Sequence, residues 1–212
     1  MLRALVIISI LSLAACTPQS QAAGTTEKGS TQGIAETKSP PASPIPDSPI
    51  MLSPHSSVQD LAKLGFSVFP EPQDLPPFAV AGIKGGTTSI SDFKGKYVFL
   101  NFWATWCPPC KKEMPSIQVL SDTLSGEDFS IFAISVGEKQ ETVTEFLKKN
   151  PYTFPIFLNP DNSLGSIFAG RGIPTTYIID RRGRAIAGMI GSREWDDTET
   201  LSIFRSLLAN KE

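Results

Sequence analysis

Two of the chain's three cysteines stand two residues apart in Trp106-Cys107-Pro108-Pro109-Cys110, directly after the apolar run Tyr97 to Trp103. A run of that kind reads as a strand buried on both faces. Proline suits the first turn of a helix, where its missing N–H has no partner to lose. The dithiol therefore falls where a buried strand gives way to a helix, the place for a pair that opens and closes.

The same alternation continues on both sides. Met114, Ile117, Val119, Leu120 and Leu124 mark a helix after the cysteines. Phe129 to Val136 reads as a second buried strand, 142–150 as a helix closed by Pro151, and 154–158 as a short strand. Residues 163–169 read as helical, Thr175 to Ile179 and 185–190 as strands about an Arg181-Arg182-Gly183 turn, and 195–209 as a closing helix. Upstream, Val58, Leu61, Ala62 and Leu64 have the spacing of a short helix that Gly65 stops, and 66–69 reads as an extended piece ended by a proline cluster. Residues 78–81 and 87–90 suggest a hairpin about the glycine-rich turn 82–86. No repeat of fixed period occurs. Helices enough for both faces of a mixed sheet make the class α/β.

The N-terminus has a different character. Residues 1–15 hold one cation, Arg3, a ten-residue apolar stretch at 4–13 and small residues before Cys16, the layout of an export signal. That stretch is too short to span a bilayer as a stable helix. Leu13-Ala14-Ala15-Cys16 resembles the bacterial lipobox, so Cys16 is expected to be lipidated; the plain alternative is a small apolar residue of an ordinary signal. From 16 to 56 Ser, Thr, Gln, Gly and Ala dominate, with Pro18, Pro40, Pro41, Pro44, Pro46, Pro49 and Pro54 among them. Such a composition offers little apolar surface against the entropy of ordering, and predicts a disordered tether with a coil reach of roughly 35 Å. The only histidine, His55, lies in or beside it and reads as solvated rather than as a ligand or base. A domain of residues 57–212 follows. Loss of Arg3 with the signal leaves 18 cations against 21 acids, a net charge of −3. That balance supplies neither a footprint for nucleic acid nor a polybasic patch for anionic lipid, so membrane attachment rests on the lipid.

Disulfide exchange needs a thiolate, and a cysteine at a helix N-terminus has its anion favoured by unpaired N–H groups and the helix dipole. Cys107 is thus expected to be the exposed nucleophile, and Cys110, deeper in the helix, to resolve the mixed disulfide. Pro108 and Pro109 remove two N–H donors, which leaves the Cys110 amide as the first available. A thiolate less stabilised means a reduced form less stabilised and a lower reduction potential. Glu113 falls one turn after Cys110 on the same side of the helix. It reads either as a solvated carboxylate favoured by the dipole or as a group that disfavours thiolate formation nearby. Lys111 and Lys112 read as solvated.

Leu100-Asn101-Phe102-Trp103-Ala104-Thr105-Trp106-Cys107-Pro108-Pro109-Cys110-Lys111-Lys112-Glu113-Met114-Pro115 resembles the active-site segment of the TlpA/ResA/DsbE-like branch of the thioredoxin superfamily. Gly172-Ile173-Pro174-Thr175-Thr176-Tyr177-Ile178-Ile179-Asp180 resembles that family's cis-proline loop. The likeness spans about 76–209 and includes the branch's extra helix and strand near 139–158. It implies a thioredoxin-like fold with an N-terminal hairpin, and a cis bond at Ile173-Pro174 that brings the Ile173 backbone beside the sulfurs, where an extended substrate can pair as an added strand. It implies that Glu113 accepts and donates protons at the site. Ordinary thioredoxin has a buried aspartate where this chain has Asn101; asparagine cannot ionise, so proton handling passes to Glu113, water or substrate. Trp103 is expected in the core and Trp106 partly exposed at the substrate groove.

The resemblance implies a thiol-disulfide oxidoreductase on the outer side of the cytoplasmic membrane or in the periplasm, reducing exported proteins with cysteine pairs such as apocytochrome c. Its electrons would come from a membrane thiol carrier related to DsbD or CcdA, with no cofactor, because the cysteines carry the electrons. The rivals are an exported thiol oxidant or isomerase, and a redox-inert lipoprotein that binds partners through the groove. Peroxidase chemistry is disfavoured by Ala104 and Leu100 at the places of the peroxidatic threonine and proline. Zinc wants about four ligands, and no second cysteine pair accompanies the first. Haem attachment fails because Lys111 stands where histidine follows the second cysteine.

Overall fold

A computed structural model describes residues 54–210, all within the second of two compact units into which the chain divides, Pro49–Glu212. The expected export signal, Cys16, the expected tether as far as residue 53 and the side chain of His55 lie outside the described residues. Helix α1 (Pro54–Gln59) starts before the expected domain boundary at 57 and runs into a 3-10 turn (Asp60–Leu64). Gly65 ends that turn at φ +89°, a left-handed conformation that costs glycine nothing.

Eight strands form one mixed sheet: β1 (Ser67–Asp74), β2 (Ala79–Gly82), β3 (Thr87–Ser89), β4 (Tyr97–Trp103), β5 (Phe129–Val136), β6 (Ile156–Asn159), β7 (Thr175–Ile179) and β8 (Arg184–Ile190), in the order β1-β8-β7-β4-β5-β6-β2-β3. Around it lie α2 (Pro108–Thr123), α3 (Gln140–Lys149), α4 (Ser163–Phe168) and α5 (Thr198–Ala209). β4 runs parallel to β5 and antiparallel to β7, so its polar groups are paired on both edges and all seven of its residues are buried. The extra helix and strand appear as α3 and β6, and β6 carries the β2–β3 hairpin at the sheet's edge.

Alternation along β4 divides the core. Phe99 and Trp103 face the layer built with Met114, Ile117 and Leu120 of α2 and Phe204 and Leu207 of α5. Val98, Leu100 and Phe102 face the layer of Phe132, Ile134, Leu164 and Phe168. Each large side chain so buried contributes about 1.5–3 kcal/mol of transfer free energy. Asn101, between Leu100 and Phe102, shares the α2 and α5 side with Phe99 and Trp103 by the two-residue period of a strand.

Three local readings are corrected. The extended piece at 66–69 does not stop at the prolines: β1 continues through Pro70 and Pro72 to Asp74, because it is an edge strand and its pairing with β8 breaks between Val68 and Gln73, where proline has no ladder bond to lose. The last helix begins at Thr198 and not at 195, since the Asp197 carboxylate accepts from the Thr200 amide at 2.9 Å and caps it there. Val119 is 42% exposed and lies off the apolar stripe of α2, which runs through Cys110, Glu113, Met114, Ile117 and Leu120.

Candidate active site

Cys107 is the N-cap of α2, extended at φ −89° and ψ 107°, with Pro108 and Pro109 filling the first turn. It is joined by a disulfide to Cys110, with the two Cα atoms 5.3 Å apart. The Cys110 amide donates to Cys107 Sγ at 3.3 Å, while the two prolines have no N–H to offer. Cys107 Sγ also lies 3.7 Å from the Ile173 carbonyl oxygen. In this disulfide form Cys107 is only 3% exposed and Cys110 fully buried. The expected exposed nucleophile is thus covered by its own disulfide and by the loop before β7, and it is reached through the groove described below.

A second polar cluster sits deeper on the same helix. Glu113 is 1% exposed, on the stripe of α2 that otherwise meets the core. Burying a carboxylate is costly unless donors replace its water. Here Asn101 Nδ2 donates to Oε1 at 3.0 Å, Trp195 Nε1 donates to Oε2 at 3.2 Å, and the Arg193 backbone adds a hydrogen bond. Desolvation outweighs these donors and raises the Glu113 pKa from 4.5 to about 7. The β4–β7 register sets Asn101 opposite Thr176, and Asn101 Nδ2 also donates to Thr176 Oγ1 at 3.0 Å. Asn101 Oδ1 is buried with no hydrogen-bond partner among the described residues.

Beside the disulfide opens a cavity of about 880 Å³, walled by Trp106, Cys107 and the prolines on one side and by Gly165, Ala169 and the Arg171-Gly172-Ile173 loop on the other. Trp106 is 64% exposed at its mouth, whereas Trp103 is fully buried. The Ile173–Pro174 bond is cis, and the Pro174 carbonyl accepts from the Gly191 amide at 2.9 Å. An extended chain laid in this groove would meet Ile173 and Cys107 together.

Glu138, also buried, holds the loop that leads into the cysteines. Its carboxylate accepts from the Thr105 amide at 2.8 Å, from the Thr105 hydroxyl, and from Ser135 Oγ at 2.7 Å.

The structure gathers Cys107, Trp106, Pro108, Pro109 and Ile173 around one opening, with Cys110 buried behind Cys107 in the disulfide, Pro174 next along the chain from Ile173, and Asn101 and Glu113 bonded to each other. Lys111 and Lys112 are exposed, and Lys112 pairs with Glu194 at 3.5 Å. Sequence reasoning missed Trp195, Thr176 and Glu138. For Trp195 there was a usable signal: a capping Asp197 after it places the tryptophan outside the helix and free to turn inward. Thr176 and Glu138 join the site only through strand register and a loop contact.

A profile described as the AhpC/TSA family matches residues 72–186. The thiol-disulfide oxidoreductase ResA of Geobacillus kaustophilus (strain HTA426) is 35% identical over 124 residues, covering 58% of this chain and 71% of its own. Among solved structures, a putative thiol:disulfide interchange protein DsbE from Chlorobium tepidum superposes with a TM-score of 0.60 at 26% identity, over 68% of this chain and 100% of that one. The pneumococcal exposed lipoprotein thioredoxin (Etrx1) from Streptococcus pneumoniae strain TIGR4 gives 0.53 at 28% identity, over 62% and 98%. The thioredoxin-like architecture is common to them.

Proposed function

Because the chain belongs to the AhpC/TSA family of the thioredoxin superfamily, with ResA-type thiol-disulfide oxidoreductases among its relatives, we propose that it is an extracytoplasmic reductase of disulfides in exported proteins, working through Cys107 and Cys110. The observation that carries this reading is a cysteine pair at a helix N-terminus, against a cis-proline loop, with a buried carboxylate of pKa about 7 one turn behind it.

From the reduced state, the Cys107 thiolate attacks one sulfur of the client disulfide. The client S–S bond breaks, a mixed disulfide forms, and the other client sulfur leaves as a thiolate and takes up a proton. Cys110 then gives its proton to Glu113 and attacks Cys107 Sγ, which closes the Cys107–Cys110 bond and expels the second client sulfur as a thiolate that takes up a proton in turn. Two electrons have passed to the client. A carboxylate with a pKa of about 7 is poised to take that proton and return it at neutral pH. The single amide donor at Cys107 Sγ stabilises the thiolate weakly, which favours a low reduction potential.

Cys16 carries a lipid that anchors the domain, the residues from there to the start of α1 at Pro54 act as its tether, and a membrane thiol carrier of the DsbD or CcdA type re-reduces it. Similarity to a protein described as an exposed lipoprotein thioredoxin supports the anchored form. Clients are exported proteins with cysteine pairs, oxidised apocytochrome c among them. Cells expressing Cys110→Ser should accumulate mixed disulfides on Cys107 with exported cysteine-pair proteins, and labelled fatty acid should enter the wild type and not Cys16→Ala. Absence of any trapped client, or full biological activity in Cys107→Ser, would overturn the reductase reading.

A further inference from the structure

Resting on the reductase reading, we propose that Arg171 makes the groove selective for client segments with an acidic side chain next to their cysteine pair. Among the described residues, Arg171 is the one charged side chain that lines the cavity beside the disulfide, and no Asp or Glu lines it. Arg181, Arg184 and Arg193 each pair with a carboxylate, of Asp128, Asp180 and Asp197, but Arg171 forms no ion pair among the described residues.

The loop that presents it is fixed at both ends. The Tyr177 hydroxyl donates to the Phe168 carbonyl at 2.7 Å, the Thr175 hydroxyl to the Gly172 carbonyl at 2.6 Å, and the Gly172 amide to the Ala169 carbonyl at 2.9 Å. Glycine on either side lets the chain take this path. A Cβ at Gly170 would sit 2.9 Å from the Ser166 carbonyl oxygen, and Gly172 has φ +138°, which L side chains rarely adopt. With its backbone so defined, Arg171 has only its own side-chain rotamer freedom to lose when it meets an anion, with no loop to order.

The walls explain why that meeting is selective. Trp106, Pro108, Val136 and Ile173 are apolar and take water from around a seated segment, which strengthens a charge contact relative to open solvent. The client segment must enter this groove for its sulfur to reach Cys107, so a carboxylate near its cysteines comes within reach of Arg171 and a lysine there is repelled. For a pair still partly solvated, the preference is about five-fold and fades with salt.

The test uses the reduced full-length protein and short peptides closed by one disulfide, carrying Glu, Gln or Lys in turn at each position flanking the cysteine pair, with second-order reduction rates measured in low salt and in about 0.5 M salt. The wild type should reduce the best Glu peptide about five-fold faster than its Lys counterpart, with the ratio falling towards one in high salt. Arg171→Glu should invert the ratio. A Glu-to-Lys ratio in Arg171→Glu within about two-fold of wild type, or no salt effect, would overturn the proposal. Failure of the wild type to reduce even the Gln peptides would overturn the reductase reading, and this proposal with it.

Discussion

The two ends of the central strands are built on opposite plans. At the end where β4 runs out and β7 begins, polar groups are buried at a cost: Glu113 sits among apolar side chains with its pKa raised, and Asn101 Oδ1 and Trp103 Nε1 lack hydrogen-bond partners among the described residues. At the far end, past Ile179, charge is matched, although Arg181 Nε is also buried without a hydrogen-bond partner among the described residues. The buried Asp180 carboxylate accepts from the Arg182 and Arg184 amides at 2.9 and 2.8 Å and from the Arg184 guanidinium at 2.9 and 2.7 Å. Arg181 donates to the Leu208 and Asn210 carbonyls at the end of α5 and lies 5.3 Å over the Tyr97 ring. The contrast teaches that this fold fastens its sheet at one end and keeps groups ready to change charge at the other.

If the contrast is real, perturbations at the two ends separate into loss of activity and loss of stability. The largest effect is Cys107→Ser, which should abolish peptide-disulfide reduction while its unfolding free energy in denaturant stays within about 1 kcal/mol of the reduced wild type. Activity that survives would remove the nucleophile from the account.

Next comes Glu113→Gln, expected to slow exchange about 10²-fold and to erase the rise in rate near pH 7. The same variant reads out stability. The folded pKa of about 7 lies above the ordinary 4.5, so the folded protein holds the extra proton between those values. Its contribution is full below about pH 4.5 and is lost as pH rises to about 7, a wild-type decline on the order of 3 kcal/mol relative to the Gln variant. Parallel stability profiles for the two proteins would mean that Glu113 is not a displaced buried carboxylate.

At the fastened end, Asp180→Asn should cost about 2–4 kcal/mol by leaving the Arg184 guanidinium without its counter-charge, with exchange activity per folded molecule changed less than about two-fold. A matching loss of activity would break the division between the ends. The smallest effect is Trp195→Phe, which keeps a ring against Phe99 but removes the indole donor from Glu113. Because that donor favours the carboxylate, the Glu113 pKa should rise further, moving the rate's pH limb upward by about one unit, the worth of one hydrogen bond to a charged group. An unmoved limb would deny the indole any influence on the carboxylate.

How far the sequence reaches follows the same line. β4, β5 and the start of α2 were readable because continuous apolar runs and paired prolines act locally. The cis bond at Pro174 came from resemblance and not from residues 173 and 174 alone, since trans is the default for most X-Pro bonds. Pro70 and Pro72 misled because a breaker inside a central strand is tolerated in a bulged edge strand, and edge position is a property of the whole sheet. Trp195 was read into a helix, and its contact with Glu113 across 82 positions has no local signature. The burial of Glu113 itself was half legible: it shares a stripe with Cys110 and Ile117, but whether that stripe meets solvent or core depends on β4, β7 and the loop before α5.

The central claim is that the Cys107–Cys110 pair works as a reductant, and its equilibrium with glutathione or dithiothreitol buffers, followed by tryptophan fluorescence, tests it most directly. The account predicts reversible two-electron interconversion with a potential near or below that of thioredoxin, about −270 mV. A potential near the roughly −120 mV of DsbA, or a pair that does not interconvert, would contradict it.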